Sequence, residues 1–298
     1  MRFRGQSGSA ILAAIFVVAI VAIITTAIYR IAHQSIQSAL TAKEQQNNQF
    51  LLDSAILDAE QKLKNTVTLQ QSMRFISHRD GHSIQVEIDS PQAQLNANAF
   101  SQIKSSELMA KTQSLSLFFQ TIGLSHPAEA ANGLIAFLNH SLATVGNSAD
   151  LYEWPGKPML IPSSLRTLPG ISGKDYQILR HWVSVLPKDT AYIPQLEYAP
   201  VFLAYGLTVE DVDRIRKCLK KQGSQSLSTT LTQCKLADNS SSQALATLIS
   251  DKTNYYFTVR AVLVLNDRTL QKTTLLYRKR KGNNNQWFIV WQHNNWNE

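Results

Sequence analysis

The side chains that could bind a metal ion or form a covalent bond are few in this 298-residue chain. Its two cysteines are Cys218 and Cys234, and neither belongs to a Cys-x-x-Cys pair. Because a zinc site needs three or four ligands, the two cysteines alone do not predict one. In an exported protein two cysteines usually pair. We therefore expect a disulfide between Cys218 and Cys234 that closes a loop of about 15 residues, with two free thiols as the alternative.

Two histidines, His78 and His82, are four residues apart and would share one face of a helix. Gly81 lies between them, and the residues that follow alternate as in a strand, so a turn is the better interpretation. We therefore expect no metal site at this pair. No His-Glu-x-x-His, Gly-x-Ser-x-Gly or calcium-loop pattern occurs elsewhere in the chain, and the sequence suggests no enzyme.

The segment Pro169–Asp175, PGISGKD, partly resembles a phosphate-binding loop. Leu168 stands where such a loop needs its first glycine, and no Ser or Thr follows Lys174, so we reject a nucleotide site. The wider segment Leu165–Arg180 resembles a helix-hairpin-helix, whose glycine turn offers backbone N–H groups to a DNA phosphate, with Ser172 in place of the second glycine. A simple turn between two packed helices is the alternative.

Composition gives the chain a polar but weakly charged surface. Charged residues make up 17% of the sequence, against about 25% in an average soluble domain. The net charge is +8 and the pI about 9.4, and part of the positive charge lies in the run Arg278–Lys281. We expect this run to be a solvated strand end and turn. A contact with nucleic acid or lipid phosphate is the alternative.

A membrane-spanning helix is the clearest element. No charged residue occurs from Gly5 to Tyr29, and the apolar core of this stretch, Ser9–Ile28, is 20 residues long. As a helix it measures about 30 Å, the thickness of the hydrocarbon core. Arg2 and Arg4 precede it, so we expect a cytoplasmic N-terminus and a body on the other side of the inner membrane, in the periplasm.

Three interpretations of this N-terminus differ in where the chain is cut. The apolar core is longer than that of a secretory signal peptide, about 7–15 residues, and Tyr29-Arg30-Ile31 is a poor cleavage site. An uncleaved anchor fits. A polar leader that ends at Gly8, directly before the apolar run, also resembles a type IV pilin-like leader, in which a membrane peptidase cuts between Gly8 and Ser9.

The helical pattern continues beyond the membrane. No Gly or Pro occurs from Ile31 to Leu63, so one helix of about 50 residues is predicted, with a break after the anchor as the alternative. Apolar residues follow helical spacing on one face, which we predict to contact partner subunits through the small alanines: Leu52, Ala55, Ile56, Ala59 and Leu63.

The body reads as an α+β fold. A strand is predicted at 83–88, followed by short helices without strand-like alternation. One of these helices is Thr208–Lys220, with Thr208 as its cap and Asp211 as the capping-box acid. A polar loop, 222–242, precedes three strands at 255–265, 271–280 and 286–292, the last two joined by a turn at 282–285. We therefore predict an antiparallel sheet with a large helical domain inserted after its first strand.

The predicted boundaries are 1–8 for a leader, 9–29 for the membrane helix, 30–91 for the amphipathic helix and first strand, 92–222 for the insertion and 223–298 for the loop and final strands.

Taken in order along the chain, these landmarks resemble the K-type minor pseudopilin family of type II secretion (GspK). The resemblance rests on Gly8 with the apolar run after it and on the segments Asp89–Phe100, Ser163–Pro187, Tyr192–Leu207, Asn254–Leu265 and Leu275–Arg278. It implies a pilin-like fold and a non-enzymatic role at the tip of a periplasmic pseudopilus, in assembly and protein export. It also implies two other minor pseudopilins as partners in a heterotrimeric tip, the major pseudopilin, the inner membrane, and a prepilin peptidase that leaves a methylatable N-terminus.

One position agrees with a tip subunit. Pilin-like subunits normally carry Glu as the fifth mature residue, and after a cut at Gly8 that position here is Ala13. An unpaired carboxylate in a bilayer costs about 2.5–3.5 kcal/mol, and a subunit with no neighbour ahead of it has no amine to pair with. The K-type family is similar in lacking this Glu. The alternative is that Ala13 is simply one more apolar anchor residue.

Two departures concern metal binding. Leu138–Ser141 replaces an acidic stretch of the family, and Gln195–Tyr198 lacks its Asn-x-Asn-Thr pattern. Calcium binding is therefore possible by resemblance, but its ligands are not assignable, and no other cofactor is expected. A membrane-anchored DNA-binding or competence-type pilin-like protein is the second hypothesis, and an anchored envelope hydrolase is the third. The leading hypothesis expects no nucleic-acid partner.

Overall fold

The computed structural model describes residues 7–64, 66, 69, 71–139, 143–144, 151–152, 158–221, 255–265, 268–281 and 284–297. The chain divides into two compact units, Met1–Ser54 and Ala55–Glu298. The first helix, α1, covers Ser7–Leu63 without interruption over 57 residues. The predicted single helix is confirmed, since no Gly or Pro breaks the hydrogen-bond ladder beyond the anchor.

The remaining helices all belong to the second unit. They are α2 (Ser105–Thr121), α3 (Pro127–Asn139), α4 (Gly173–Trp182), α5 (Val201–Ala204) and α6 (Val209–Lys221). Short 3-10 segments cover Pro91–Ala93, Ala97–Phe100 and Pro162–Thr167. The strands are β1 (Met73–Arg79), β2 (His82–Asp89), β3 (Leu95–Asn96), β4 (Ala143–Thr144), β5 (Leu151–Tyr152), β6 (Val183–Ser184), β7 (Tyr256–Leu265), β8 (Arg268–Lys281) and β9 (Asn284–Asn297).

The main sheet has five antiparallel strands in the order β1-β2-β7-β8-β9. Two small pairs accompany it: β3 lies parallel to β6, and β4 lies antiparallel to β5. The three C-terminal strands were predicted, although β8 and β9 are longer than expected. The last two residues of the turn predicted at 282–285 belong to β9, which begins at Asn284, and the first two lie outside the described residues. The polar loop predicted at 222–242 lies outside the described residues.

The sequence prediction missed the first strand. β1 pairs with β2 through a turn at Asp80 and Gly81, whose φ angles of 47° and 78° are both positive. Asp-Gly is a strong signal for such a two-residue hairpin turn. The alternation in β1 is masked because Ser77, a polar residue, occupies an inward position and is buried. The helical insertion follows the strand predicted at 83–88, as expected, but that strand is the second of the sheet and not the first.

One face of the sheet, the inner face, is apolar. It is formed by every second residue of β2 and β7 and is fully buried: Ile84, Val86, Ile88, Phe257, Val259, Ala261 and Leu263. The last two turns of α1 contact it at its edge, where Asp58 accepts hydrogen bonds from Ser77 (2.6 Å) and Arg79 (2.5 Å). These last turns of α1 are therefore part of the core of the second unit.

The insertion between β2 and β7 has a core of its own. A continuous cluster of buried side chains extends from Ala93 to Ile215 and includes Phe118, Phe119 and Phe202. The helix predicted at Thr208–Lys220 is confirmed as α6. Its predicted cap is also present, since the amide of Asp211 donates to the Thr208 hydroxyl (3.2 Å) and the Thr208 amide donates back to the Asp211 carboxylate (3.4 Å).

Candidate functional site

The N-terminal part of α1 presents apolar side chains to its surroundings. One helix in the described residues is long and apolar enough to cross a membrane, starting at Leu12 and with a mean hydropathy of 2.7 over its most apolar window. Ala13 lies in this stretch with its side chain exposed. Gly8 and Ser9 lie in the first turn of α1. The roles assigned to these three residues stay predictions.

The face of α1 that we predicted to contact partner subunits is not a free surface, so this prediction was wrong. Ala55, Ile56, Ala59 and Leu63 are at most 5% exposed within the second unit, and Leu52 is 1% exposed. The small side chains of Ala55 and Ala59 do allow close approach, but the residues that pack against them belong to the same chain. The apolar residues of α1 that remain exposed beyond the anchor are others: Ile31, Ile36, Leu40, Phe50 and Leu57. Phe50 and Leu57 are seven residues apart, so they share a helix face.

Arg278 corrects the interpretation of the basic run as a solvated strand end. Its side chain is 3% exposed and points to the inner face, whereas the next residue, Lys279, is exposed. The guanidinium lies over the rings of Phe257 (5.0 Å) and Trp287 (5.8 Å). It donates hydrogen bonds to the carbonyl oxygens of Leu63 and Thr66, where α1 ends. Alternation along a strand thus buries one member of a basic run and leaves its neighbour in solvent.

Buried amide side chains join the base of the insertion to the sheet. The Gln92 side chain donates to the carbonyl of Ala191 (2.9 Å) and accepts from the amides of Tyr255 (2.7 Å) and Tyr256 (3.0 Å), where β7 begins. Asn98 donates to the carbonyls of Met159 and Leu186, both at 2.9 Å. Sequence reasoning noted the segment around Asn98 but assigned it no role. An amide within an apolar stretch was the available signal, since a buried polar group needs partners.

The segment that resembles a helix-hairpin-helix, Leu165–Arg180, has a different local structure. A 3-10 segment that ends at Thr167, not an α-helix, precedes the turn, and α4 follows it. Gly170, with φ of 73°, packs against α3, so that an added Cβ would lie 3.0 Å from the Glu129 side chain. The turn is a packed connector, as the alternative interpretation had it.

The N-terminus of α4 is already occupied by a carboxylate. Asp175 accepts hydrogen bonds from the hydroxyl (2.5 Å) and amide (3.0 Å) of Ser172 and from the amide (2.8 Å) and hydroxyl (3.1 Å) of Ser125. Burial would raise the pKa of Asp175, but these hydrogen bonds outweigh it and lower the pKa to about 2. Asp175 thus already accepts from the amide of Ser172, the one amide of the turn that it occupies and that a DNA phosphate could otherwise use.

The other candidate side chains do not form a site in the described residues. His78 and His82 lie on opposite faces of the β1–β2 hairpin, because His82 pairs with Arg79. No group of three or more His, Cys, Asp or Glu side chains in the described part of the chain could hold a metal ion. Calcium binding, which the resemblance implied without assignable ligands, stays a prediction. Cys218 packs against the core of the insertion, and its predicted partner, Cys234, lies outside the described residues.

A comparison with solved structures decides the fold class. The chain is similar to a chain of "The Crystal Structure of the GspK-GspI-GspJ complex from enterotoxigenic Escherichia coli Type 2 Secretion System". The TM-score is 0.65 and the identity 18%, over 86% of this chain and 99% of the matched one. The chain has a pilin-like fold. The predicted α+β class, with a long apolar helix and an antiparallel sheet, is confirmed. No protein-family model matches the sequence, and no curated protein matches it.

Proposed function

We propose that this chain is a K-type minor pseudopilin that caps the pseudopilus of a type II secretion system. One observation carries the proposal: the pilin-like similarity covers 86% of this chain, so it includes most of the helical insertion as well as the sheet, and it extends over 99% of the matched chain. The matched chain comes from a complex of GspK, GspI and GspJ. By analogy, this chain would assemble with an I-type and a J-type subunit, as a single-pass inner-membrane protein with its body in the periplasm.

The proposed role is structural. A tip subunit needs an anchor, a surface for neighbours below it and bulk that prevents addition above it. The apolar helix, the exposed residues Phe50 and Leu57, and the insertion between β2 and β7 would serve these purposes. The described residues offer no metal cluster for catalysis. The DNA-binding alternative is weakened by Asp175, which accepts from the turn amide of Ser172 and places a negative charge beside it.

The proposed role in protein export can be tested in the strain that encodes the chain. Deletion of the gene should keep type II substrates inside the cell, and the wild-type gene should restore their release. Intact-mass analysis of the membrane form should give a chain that begins at a methylated Ser9. A chain that still begins at Met1, or one that begins beyond the apolar run, would contradict the predicted cleavage between Gly8 and Ser9.

Ala13→Glu separates a tip role from a plain anchor. The variant should insert into the membrane at wild-type levels but restore export poorly, because a carboxylate without a partner amine is costly in the bilayer. Ala14→Ser, at a neighbouring position of the same helix, is the control that should restore export fully. Normal export with Ala13→Glu would leave Ala13 as an ordinary anchor residue.

A further inference from the structure

The main sheet ends at β9, and this edge lacks the charges that usually protect a sheet edge. β9 is last in the strand order and pairs only with β8 among the described residues. Charged side chains or Pro on an edge strand hinder pairing with another chain. The opposite edge strand, β1, has such charges, since the side chains of Arg74 and Arg79 are 77% and 48% exposed. β9 contains no Lys, Arg, Asp, Glu or Pro in its 14 residues, so its backbone is open to pairing.

Apolar side chains of β9 are exposed on both faces of the sheet. Ile289 pairs with Leu276, which pairs with Phe257 of the inner face, so Ile289 lies on that face. Phe288, the preceding residue, lies on the opposite, outer face. Phe288 is 47% exposed and Ile289 is 59% exposed. A protein that packed on one face would cover only one of the two, whereas a strand added to the edge would bring side chains to both faces.

A row of aromatic rings on the outer face leads to the free edge. Tyr256 on β7 pairs with Tyr277 on β8, and Tyr277 pairs with Phe288 on β9. The ring centroids are 5.0 Å apart in the first pair and 6.3 Å apart in the second. Aromatic and β-branched side chains in directly opposite positions stabilise neighbouring strands. An aromatic residue of an added strand would extend this row beyond Phe288.

A β-bulge limits the length of edge that an added strand can use. Val290 has no partner on β8, because the register shifts between Leu275 and Leu276. A bulge bends the strand and interrupts regular pairing. From Asn284 to Ile289 the register with β8 is regular. We call these six residues the β9 arm, and an added strand would pair with them.

Positive charge beside the β9 arm favours an acidic segment. Lys279 on β8 pairs with Gln286 of the arm. Its side chain is exposed, and no described residue forms a salt bridge with it. An added strand would lie two strand spacings from β8, about 10 Å, close to the Debye length at physiological ionic strength. We propose that the β9 arm binds an extended segment of another protein by strand addition, with an aromatic residue beside Phe288 and an acidic residue towards Lys279.

The test is a calorimetric titration of the full chain, held in nanodiscs of a zwitterionic lipid, with acetyl-Asp-Thr-Val-Tyr-Val-Thr-Asp-amide. Its Tyr would extend the aromatic row, its β-branched residues favour a strand, and an Asp at each end serves either strand direction. We expect a Kd between about 1 μM and 1 mM. The peptide with Lys in place of both Asp should bind at least about fivefold more weakly, and the difference should disappear in about 1 M salt.

Backbone methylation separates strand addition from binding by side chains alone. Alternate residues of a strand direct their N–H groups to the same edge. One peptide is therefore N-methylated at both Val residues, and a second at both Thr residues. Only one of these sets can face β9, so one peptide should lose binding and the other should retain it.

Matched variants locate the binding. Phe288→Lys ends the aromatic row and gives β9 an edge charge, so it should weaken binding at least about tenfold. Ile76→Lys places the same charge at a 57% exposed position of the opposite edge strand, β1, and should bind like the wild type. Thermal unfolding checks that each variant is folded, and Ile289→Lys, on the other face of the β9 arm, gives a second test of the same edge.

The inference is independent of the proposed function and has its own failures. It is overturned if the acidic peptide does not bind at about 1 mM, if both N-methylated peptides bind equally, or if Phe288→Lys and Ile289→Lys bind like the wild type. A dimer of the full chain in native mass spectrometry that Phe288→Lys dissociates would show that a second copy, and not another protein, occupies this edge. Export in the deletion strain does not enter these outcomes, so the two proposals can fail separately.

Discussion

The guanidinium of Arg278 donates a hydrogen bond to the carbonyl oxygen of Leu63, with 3.4 Å between Nη1 and O. Leu63 is the last residue of α1, and Arg278 lies 215 positions later, on β8. A positive charge at a helix C-terminus interacts favourably with the helix dipole and with carbonyl groups that have no partner inside the helix. One side chain thus ties the end of the long helix to a central strand of the sheet.

Arg278→Met should therefore destabilise the body. The substitution keeps apolar contact with Phe257 but leaves the last carbonyls of α1 without this donor. We expect a loss of roughly 1.5–3 kcal/mol in the free energy of unfolding, measured by urea unfolding of the full chain in detergent. Lys279→Met, at the exposed neighbouring position, is the control and should change stability by less than about 0.5 kcal/mol. Equal urea midpoints for both variants would contradict the capping role.

Asp175 should make stability depend on pH in the acid range. Its pKa is lowered to about 2 in the folded chain, from about 3.9 when unfolded. The stabilisation by the ionised carboxylate is therefore complete above the unfolded pKa and is lost as the pH falls through the folded value. Asp175→Asn should destabilise the chain by roughly 1–3 kcal/mol at pH 7, and the difference from the wild type should shrink between about pH 4 and pH 2.

The acid prediction has a control on another helix, α6. Asp213 is exposed and forms only a 3.6 Å ion pair with Arg216. Asp213→Asn should follow the wild-type pH dependence throughout. A gap between Asp175→Asn and the wild type that stays constant from pH 7 to pH 2 would show that the carboxylate is not ionised in the hydrogen-bonded cap.

The disulfide is a separate prediction. Thiol labelling of the unreduced, unfolded chain should modify no cysteine, because Cys218 and Cys234 are expected to be paired. Cys218→Ser, Cys234→Ser and the double variant should lose the same stability, about 3 kcal/mol in the chain-entropy model, since either change opens the bridge. Two labelled cysteines in the wild-type chain would reject it.

The fold was predictable where sequence periodicity is strong. The unbroken run through α1 and the alternation in β7 gave these elements nearly to the residue. β1 was missed because its inward Ser77 is paired with Asp58, a tertiary contact that no local pattern reveals. The partner face failed for a similar reason. A stripe of Leu and Ala on a helix predicts burial, but not whether a sheet of the same chain or another subunit provides it.

Relationships between residues far apart in the chain could not be predicted from the sequence. Arg260 and Trp291 are 31 residues apart in numbering and share a face of the sheet only through the register of three strands. The amides of Gln92 and Asn98 likewise have partners far away in the chain. Local residue types indicated a polar character for these positions, and only the sheet order determined what they could contact.

Assembly with two other minor pseudopilins is the central claim. The exposed apolar residues of α1 are the surface that we propose for this assembly, so substitutions there test it. Phe50 is 64% exposed, and Phe50→Asp should weaken assembly while leaving the body folded. Gln45→Asp introduces the same charge at an exposed polar position of the same helix and should assemble normally. Circular dichroism of both variants checks that the fold is retained.

Native mass spectrometry of the full chain, purified in detergent after co-expression with the I-type and J-type subunits of its own system, tests this claim most directly. The account predicts one complex with a single copy of each subunit, retained by Gln45→Asp and reduced by Phe50→Asp. A chain that stays alone with these partners, yet binds duplex DNA with an affinity that falls steeply with salt, would contradict the account and favour the nucleic-acid alternative.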